Sequence, residues 1–383
     1  MTHAQPDFLP LMEPDLTGNE LEYVTDCIRS NWISSKGPYV ARFEEAFCDY
    51  LSAPRALTTS NGTTALTLAL AALDLKPGDE VIVPDLTFAA TANAVMHHGG
   101  VPVLVDVSET NWTLEASRIE TALTPRTRGV IPVHLYGRPC DMEPIMDLAR
   151  REGMFVVEDC AEALGAACRG RPVGRFGDVG CFSFFANKIL TTGEGGMVVT
   201  DREDLAEKMA VLRDHGMDKS RRYWHEFMGY NFRMTSLQAA VGLAQMERLD
   251  QIQAARRRIH GLYVEALADL ERLEIPAAPP WAEPVCWLFS LRFRGPAAGP
   301  TRDRVMASLA GAGIETRPFF HPLHRMPPYA APPDRFPVSA RLSDTGLSLP
   351  SGGRLSEADV GRVAGALKTA LDEAGESGMA TTR

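Results

Sequence analysis

The seven cysteines of this chain include no C-x-x-C pair; they stand singly at positions 27, 48, 140, 160, 168, 181 and 286. Odd in number and scattered, they fit reduced thiols and exclude a disulfide framework or a zinc knuckle. A basic surplus is also lacking: 39 Lys and Arg face 49 Asp and Glu, for a net charge of -10. Broad attraction to nucleic acid or to an anionic membrane is thereby disfavoured, although a local basic pocket is not. No run approaches the roughly 18 to 20 apolar residues of a membrane span. The opening MTHAQPDFLPLMEPD has neither the basic start nor the apolar core of a secretion signal, which predicts a cytoplasmic protein. Repeats and low-complexity tracts are absent, and the 32 Gly and 27 Pro are spread along the chain. What is present, 45% hydrophobic and 23% charged residues over 383 positions, is the profile of a folded chain of about two domain lengths.

From about 55 to 200, short β-rich runs alternate with helical patterns. RALTTS precedes TTALTLALAALDL, EVIVP precedes TFAATANAVMHH, and VPVLVDV, RGVIPVHLY and MFVVED follow. That order predicts an α/β domain with a mainly parallel sheet, whose strand ends form ligand crevices. From Thr235 to about Leu270, Leu237, Ala240, Val241, Ala244 and Leu249 fall near helical spacing behind a cap at Thr235 or Ser236, which predicts one long connecting helix. The Pro-rich IPAAPPWAEP breaks the pattern; CWLFSLRF then reads as a strand and TRDRVMASLAGAGI as a helix of a smaller C-terminal α+β domain. The expected boundaries are a large domain over 1–250, the connecting helix and small domain over 251–374, and a flexible tail over 375–383.

Three segments carry chemistry. In SNGTTAL (60–66) a strand-like run ends and a helix starts at Gly62, exposing unpaired amides that suit a phosphate; an ordinary strand-to-helix turn explains the same residues. In MFVVEDCAEALGA (154–166) an apolar strand stops at Glu158 and Asp159. A carboxylate there can pair with a cationic ring nitrogen, with Glu162 three residues on, or Asp159 and Glu162 can serve as a helix cap and acidic first turn. In FGDVGCFSFFANKILTTGEGGMVVT (176–200) a single Lys188 lies in apolar, Gly-rich surroundings. A desolvated lysine there is a usable nucleophile, whereas most lysines are solvated; GEGG suggests close backbone approach.

Together these pieces resemble the DegT/DnrJ/EryC1/StrS sugar aminotransferases, pyridoxal-phosphate enzymes of the aspartate aminotransferase fold. The resemblance spans nearly the whole chain and includes NWISSKGPYVARFEEAF, PDLTFAATANAV, HLYGRPCDM, GYNFRMTSLQAAVGLAQMERLD and ETRPFFHPLH. It implies a type I pyridoxal-phosphate transferase fold, with a mixed, mainly parallel sheet in the large domain. It implies further that Lys188 joins the cofactor covalently and then transfers protons, and that Asp159 pairs with the ring nitrogen. Gly62 and Thr63 would hold the phosphate, Ser183 would add a hydroxyl, Phe88 would stack on the ring and Glu162 would stand near the ring hydroxyl. Asn231 would reach in from a second subunit, which implies a homodimer with composite sites. FSFFANK, TTGEGGMVV, GYNFRM and HPLHRMPPY are most similar to the perosamine-synthase-like members, implying transfer from L-glutamate to C4 of GDP-4-keto-6-deoxymannose.

Rival readings are amination at C3, a dTDP- or UDP-linked sugar or a cyclitol ketone as acceptor, and a catalytically silent scaffold or regulator. Deoxygenating relatives replace the lysine with histidine, so Lys188 argues against that chemistry. On the residues alone, Phe88 reads as a helix-face aromatic, and the alternation with Phe182 and Phe184 allows Ser183 an outward strand position. His97-His98 and His321/His324 make an incomplete ligand set, so no metal is expected. Lys219, Arg221, Arg222 and His225 in DKSRRYWHEF suit a nucleotide pyrophosphate or a solvated loop.

Overall fold

A computed structural model describes residues 8–218 and 220–380, with side chains described as far as position 374. Lys219 of the expected pyrophosphate loop lies outside the described residues, as do 381–383 of the expected tail. The backbone of 375–380 continues the last helix, Glu357–Ala380.

The alternation of elements yields a seven-stranded sheet in the order β1-β9-β8-β5-β4-β2-β3. Its members are β1 (Arg55–Thr59), β2 (Glu80–Pro84), β3 (Val101–Val105), β4 (Thr127–Val130), β5 (Phe155–Asp159), β8 (Val179–Ser183) and β9 (Gly196–Thr200). All run parallel except β9, which is antiparallel to both β1 and β8. Strands β2 and β9 are buried at every position, which is why they read as continuous apolar runs without alternation. Helices cover both faces. The helix Gly62–Ala72 packs Leu66, Leu68 and Leu70 with Val81, Val95, Val198 and Met209, while Ile145 and Leu148 pack the opposite side with Ile82 and Val130.

A second sheet, antiparallel throughout, joins β10 (Leu273–Glu274), β12 (Phe289–Phe293), β14 (Gly346–Leu349) and β13 (Arg317–Pro318) in that order. Leu291, Val305, Leu309, Val363 and Leu367 form the core between it and its helices. A small third sheet pairs β6 (Ala167–Cys168) with β7 (Arg171–Pro172) and β11 (Ala282–Glu283).

One expectation is corrected. The stretch from Thr235 is two helices, Ser236–Met246 and Leu249–Ala266. Thr235 does cap the first, in a capping box with Gln238. The break falls at Arg248 (φ -120°, ψ 9°), where polar side chains turn to the N-terminal segment. Arg248 pairs with Asp15 at 3.1 Å, and Glu247 accepts from the Tyr23 hydroxyl at 2.6 Å and from Asn19 at 2.7 Å. Apolar periodicity continues through this corner, so the pattern alone does not reveal it.

Candidate functional site

The parallel strands deliver their C-terminal ends to one edge, where a cavity of about 650 Å³ opens between the two main sheets. Gly62, Thr63, Phe88, Asp159, Glu162, Ser183 and Lys188 all line it. Asn231 does not: it is exposed, and its side chain accepts a hydrogen bond from Arg233 at 3.2 Å.

At the end of β1, Asn61 caps the helix by accepting from the Thr64 N–H at 2.9 Å, and its carbonyl takes the Ala65 N–H at 3.1 Å. The N–H groups of Gly62 and Thr63 are the remaining donors of the first turn, without a hydrogen-bond partner among the described residues and open to an anion at the positive helix end. Gly62 is required by space, since a Cβ there would stand 2.7 Å from the Ser183 Cβ. That close approach also brings the Ser183 hydroxyl beside the helix start. A second glycine constraint lies in the GEGG run, where a Cβ on Gly196 would meet the Asn61 carbonyl oxygen at 2.5 Å.

β5 places two acids on opposite faces, as strand alternation demands. Glu158 points into the core, where its carboxylate accepts from the N–H groups of Gly174, Phe176 and Gly177 at 2.7–2.8 Å and faces His134 Nε2 at 3.1 Å. Burial opposes its ionisation, but His134 and the backbone donors outweigh it and hold the carboxyl below the usual range. Asp159 points to the cavity, 6% exposed, with two neutral donors: the Thr91 hydroxyl at 2.8 Å and the Ala161 N–H at 3.1 Å. Here burial wins and raises the carboxyl, against the pull of Thr91, Ala161 and Lys188.

The loop 184–195 joins β8 to β9 and carries Lys188. Its amine lies 3.6 Å from Glu162 Oε1 and 4.1 Å from the centre of the Trp287 ring, two neighbours that each attract a cation. Glu162 also accepts from the Tyr136 N–H at 2.7 Å. Phe88 precedes the helix Ala90–His97, so it is no helix-face aromatic; its ring is 60% exposed and 5.8 Å from that of Phe320.

Several residues in the cavity wall or behind it escaped the sequence reading. Thr91 supports Asp159, and the Tyr136 ring is stacked between Trp287 and Phe320 with interplanar angles of 15° on both sides. Arg317 is a cation on the cavity wall, 45% exposed in its side chain. None carries a local signature; Thr91, Tyr136, Arg317 and Phe320 did fall within segments whose resemblance was noted, whereas Trp287 fell only within an expected strand. His97, His98, His321 and His324 form no metal cluster among the described residues. The one described group with metal-compatible spacing is His134, Glu158 and Cys160. Its ring nitrogens and carboxylate are already engaged, since Nδ1 accepts from the Cys140 N–H at 3.0 Å while Nε2 faces Glu158.

The arrangement fits a phosphorylated cofactor with a cationic ring. Free amides at a helix start await an anion, a buried carboxylate lacks a full counter-charge, and one amine stands in the same cavity. The profile of the DegT/DnrJ/EryC1/StrS aminotransferase family matches residues 14–368. The GDP-perosamine synthase of Caulobacter vibrioides is 49% identical over 94% of this chain and 97% of its own. The GDP-perosamine synthase of Escherichia coli O157:H7 is 42% identical, over 92% and 96% respectively. A candidate sugar aminotransferase of Streptococcus pneumoniae, solved in its PMP form, superposes with a TM-score of 0.93 at 28% identity, covering 97% of this chain and 100% of that one.

Glu162 generates a pH prediction. Burial pushes its carboxyl from 4.5 to about 7, against the attraction of Lys188 and the Tyr136 N–H. Between those values the folded chain keeps a proton that the unfolded chain has released, so this group's contribution to stability falls as pH rises through the window. Glu162→Gln should therefore flatten the stability–pH curve of the apoprotein there, measured by urea unfolding. A slope equal to that of the wild type would contradict the raised carboxyl.

Proposed function

The chain belongs to the DegT/DnrJ/EryC1/StrS aminotransferase family, and from that premise we propose that it transfers the amino group of L-glutamate to C4 of GDP-4-keto-6-deoxymannose. Its cofactor is pyridoxal phosphate, as in the family. The observation that carries the choice of acceptor is the 49% and 42% identity, over nearly full length, to two proteins named GDP-perosamine synthase. The cavity supports the chemistry with both Lys188 and Asp159 in its lining.

When bound, the cofactor supplies a conjugated electron sink at the carbon that carries the amine. The chain's residues do the rest. The Gly62 and Thr63 amides hold the phosphate at the helix start, and the Ser183 hydroxyl adds a donor. Asp159 would hold the ring N–H and so stay ionised, which would keep the ring electron-poor. Phe88 would cover one face of the ring, and Glu162 would stand near the ring hydroxyl. With the cofactor bound, the Lys188 amine would be the base that takes a proton from the α-carbon of glutamate and the acid that gives a proton to the sugar carbon. Arg317 receives the anionic groups of the substrates at the cavity wall; its contact with Glu315, at 3.5 Å, is loose enough to exchange.

Two copies complete the site. Asn231 lies outside the cavity of its own chain, next to Phe227 and Met228, which are 46% and 93% exposed. A second copy would cover that apolar area and receive Asn231 in its own cavity. Arg221 and Arg222, on the same exposed loop, would then lie within reach of the nucleotide's diphosphate.

Incubation with pyridoxal phosphate, glutamate and GDP-4-keto-6-deoxymannose should convert the sugar ketone to an amine by mass spectrometry, and Lys188→Ala should lose this activity by a factor of about a thousand or more. An unaminated sugar despite glutamate-driven change of the cofactor spectrum would reject this acceptor alone. Full activity in the variant would reject the role of Lys188. Mixed subunits of Lys188→Ala and Asn231→Ala should regain part of the activity that each lacks; mixtures as inactive as their components would contradict the composite site.

A further inference from the structure

Arg256 sits on the helix Leu249–Ala266, 6% exposed, in a region that the proposed chemistry does not use. Its guanidinium donates to two main-chain carbonyls, Trp287 O at 3.0 Å and Lys188 O at 3.2 Å. Its Nε is buried without a hydrogen-bond partner among the described residues. Burial pushes its pKa down to about 10, which still leaves a cation at neutral pH. A charge buried against neutral acceptors is costly, and a well-packed apolar side chain would serve packing better.

The geometry around it closes into a unit. The Trp287 indole Nε1 donates to the Asn187 carbonyl at 2.8 Å, and its ring face lies 4.1 Å from the Lys188 amine. The carbonyls of both 187 and 188 are thus held, one by Trp287 and the other by Arg256. The tip of Lys188 rests on the same indole and beside Glu162. Two segments remote in sequence, the helix around 256 and the chain leading into β12, converge on one residue of the loop 184–195.

We propose that Arg256 and Trp287 are positioning residues that clamp the main chain of Lys188, so that its amine swings between the indole face and the reacting carbon without displacement of the loop. Holding the root of a long side chain confines the arc its amine can sweep. The indole face gives the ammonium a fixed resting place whenever it is not joined to the cofactor. This inference rests on Lys188 as the cofactor lysine and is independent of which sugar is aminated.

The test compares Arg256→Met, Arg256→Lys and Trp287→Phe with the wild type. It follows the rate at which apoprotein takes up pyridoxal phosphate, the pH midpoint of the visible absorption band, kcat and KM, and thermal melting. Arg256→Met should slow uptake and lower kcat by roughly tenfold to a hundredfold, and should displace the midpoint with little change in KM for the nucleotide sugar. Arg256→Lys should recover part of this, because an ammonium lacks the planar fork that spans two carbonyls. Trp287→Phe keeps an aromatic face but loses the Asn187 bond, and should shift the same quantities less; it decides the matter if Arg256→Met does not fold. Variants that melt lower but retain the wild-type uptake rate, midpoint and kcat would overturn the clamp. A wild type that takes up no cofactor would instead overturn the reading of Lys188 on which it rests.

Discussion

Asp159 is buried at the end of β5 with two neutral hydrogen-bond donors, and burial drives its carboxyl toward the neutral form. A fixed cation at the open side of the carboxylate reverses that balance, and the cavity is where such a cation can enter. The neighbouring Glu158 meets the same burial with three backbone N–H groups and His134, and its carboxyl is held low. The contrast between adjacent residues on opposite faces of one strand separates a structural acid from an acid with unmet electrostatic demand. The site's other features surround the space where a ring cation would answer that demand: free amides at the Gly62 helix, the Lys188 amine and the exposed face of Phe88.

Two more acids at the same edge tie the remote wall of the cavity to the sheet. Asp85, just past β2, accepts from the His324 N–H at 2.8 Å and faces its Nδ1 at 2.7 Å. Asp106, just past β3, accepts from the Val338 and Ser339 N–H groups and from the Ser339 hydroxyl at 2.6–3.0 Å. These bonds pin the segment that follows Arg317 and Phe320 against the strand ends. The cavity itself is lined by Asp159 and Glu162 from the sheet and by the Tyr136, Trp287 and Phe320 rings.

Much of this was legible in the sequence, for physical reasons. Buried parallel strands leave unbroken apolar runs, so EVIVP and MFVVED announce themselves, and the Thr235 box marks a helix start by its local hydrogen-bond chemistry. Lys188, Asp159 and Gly62 stood out because their neighbours are unusual for a solvated residue. Tyr136, Trp287, Arg256 and Arg317 did not, since their roles come from contacts across a hundred positions or more in some cases, such as Trp287 Nε1 on Asn187. The break at Arg248 was hidden for a related reason: its cause is a pairing with Asp15, far upstream. Asn231 lies outside the cavity of its own chain, and the role proposed for it requires a second copy.

The central claim is that the Asp159 carboxylate waits for a ring cation, and cofactor-induced stabilisation tests it most directly. Thermal unfolding of wild type and Asp159→Asn would be compared with and without pyridoxal phosphate at neutral pH. A ligand held at about a thousand times its Kd stabilises the folded state by about 4 kcal/mol. The wild type is expected to show a gain of that order, and Asp159→Asn a much smaller one at the same concentration, because the charge that holds the ring proton is gone. Equal gains in the two proteins would contradict the account.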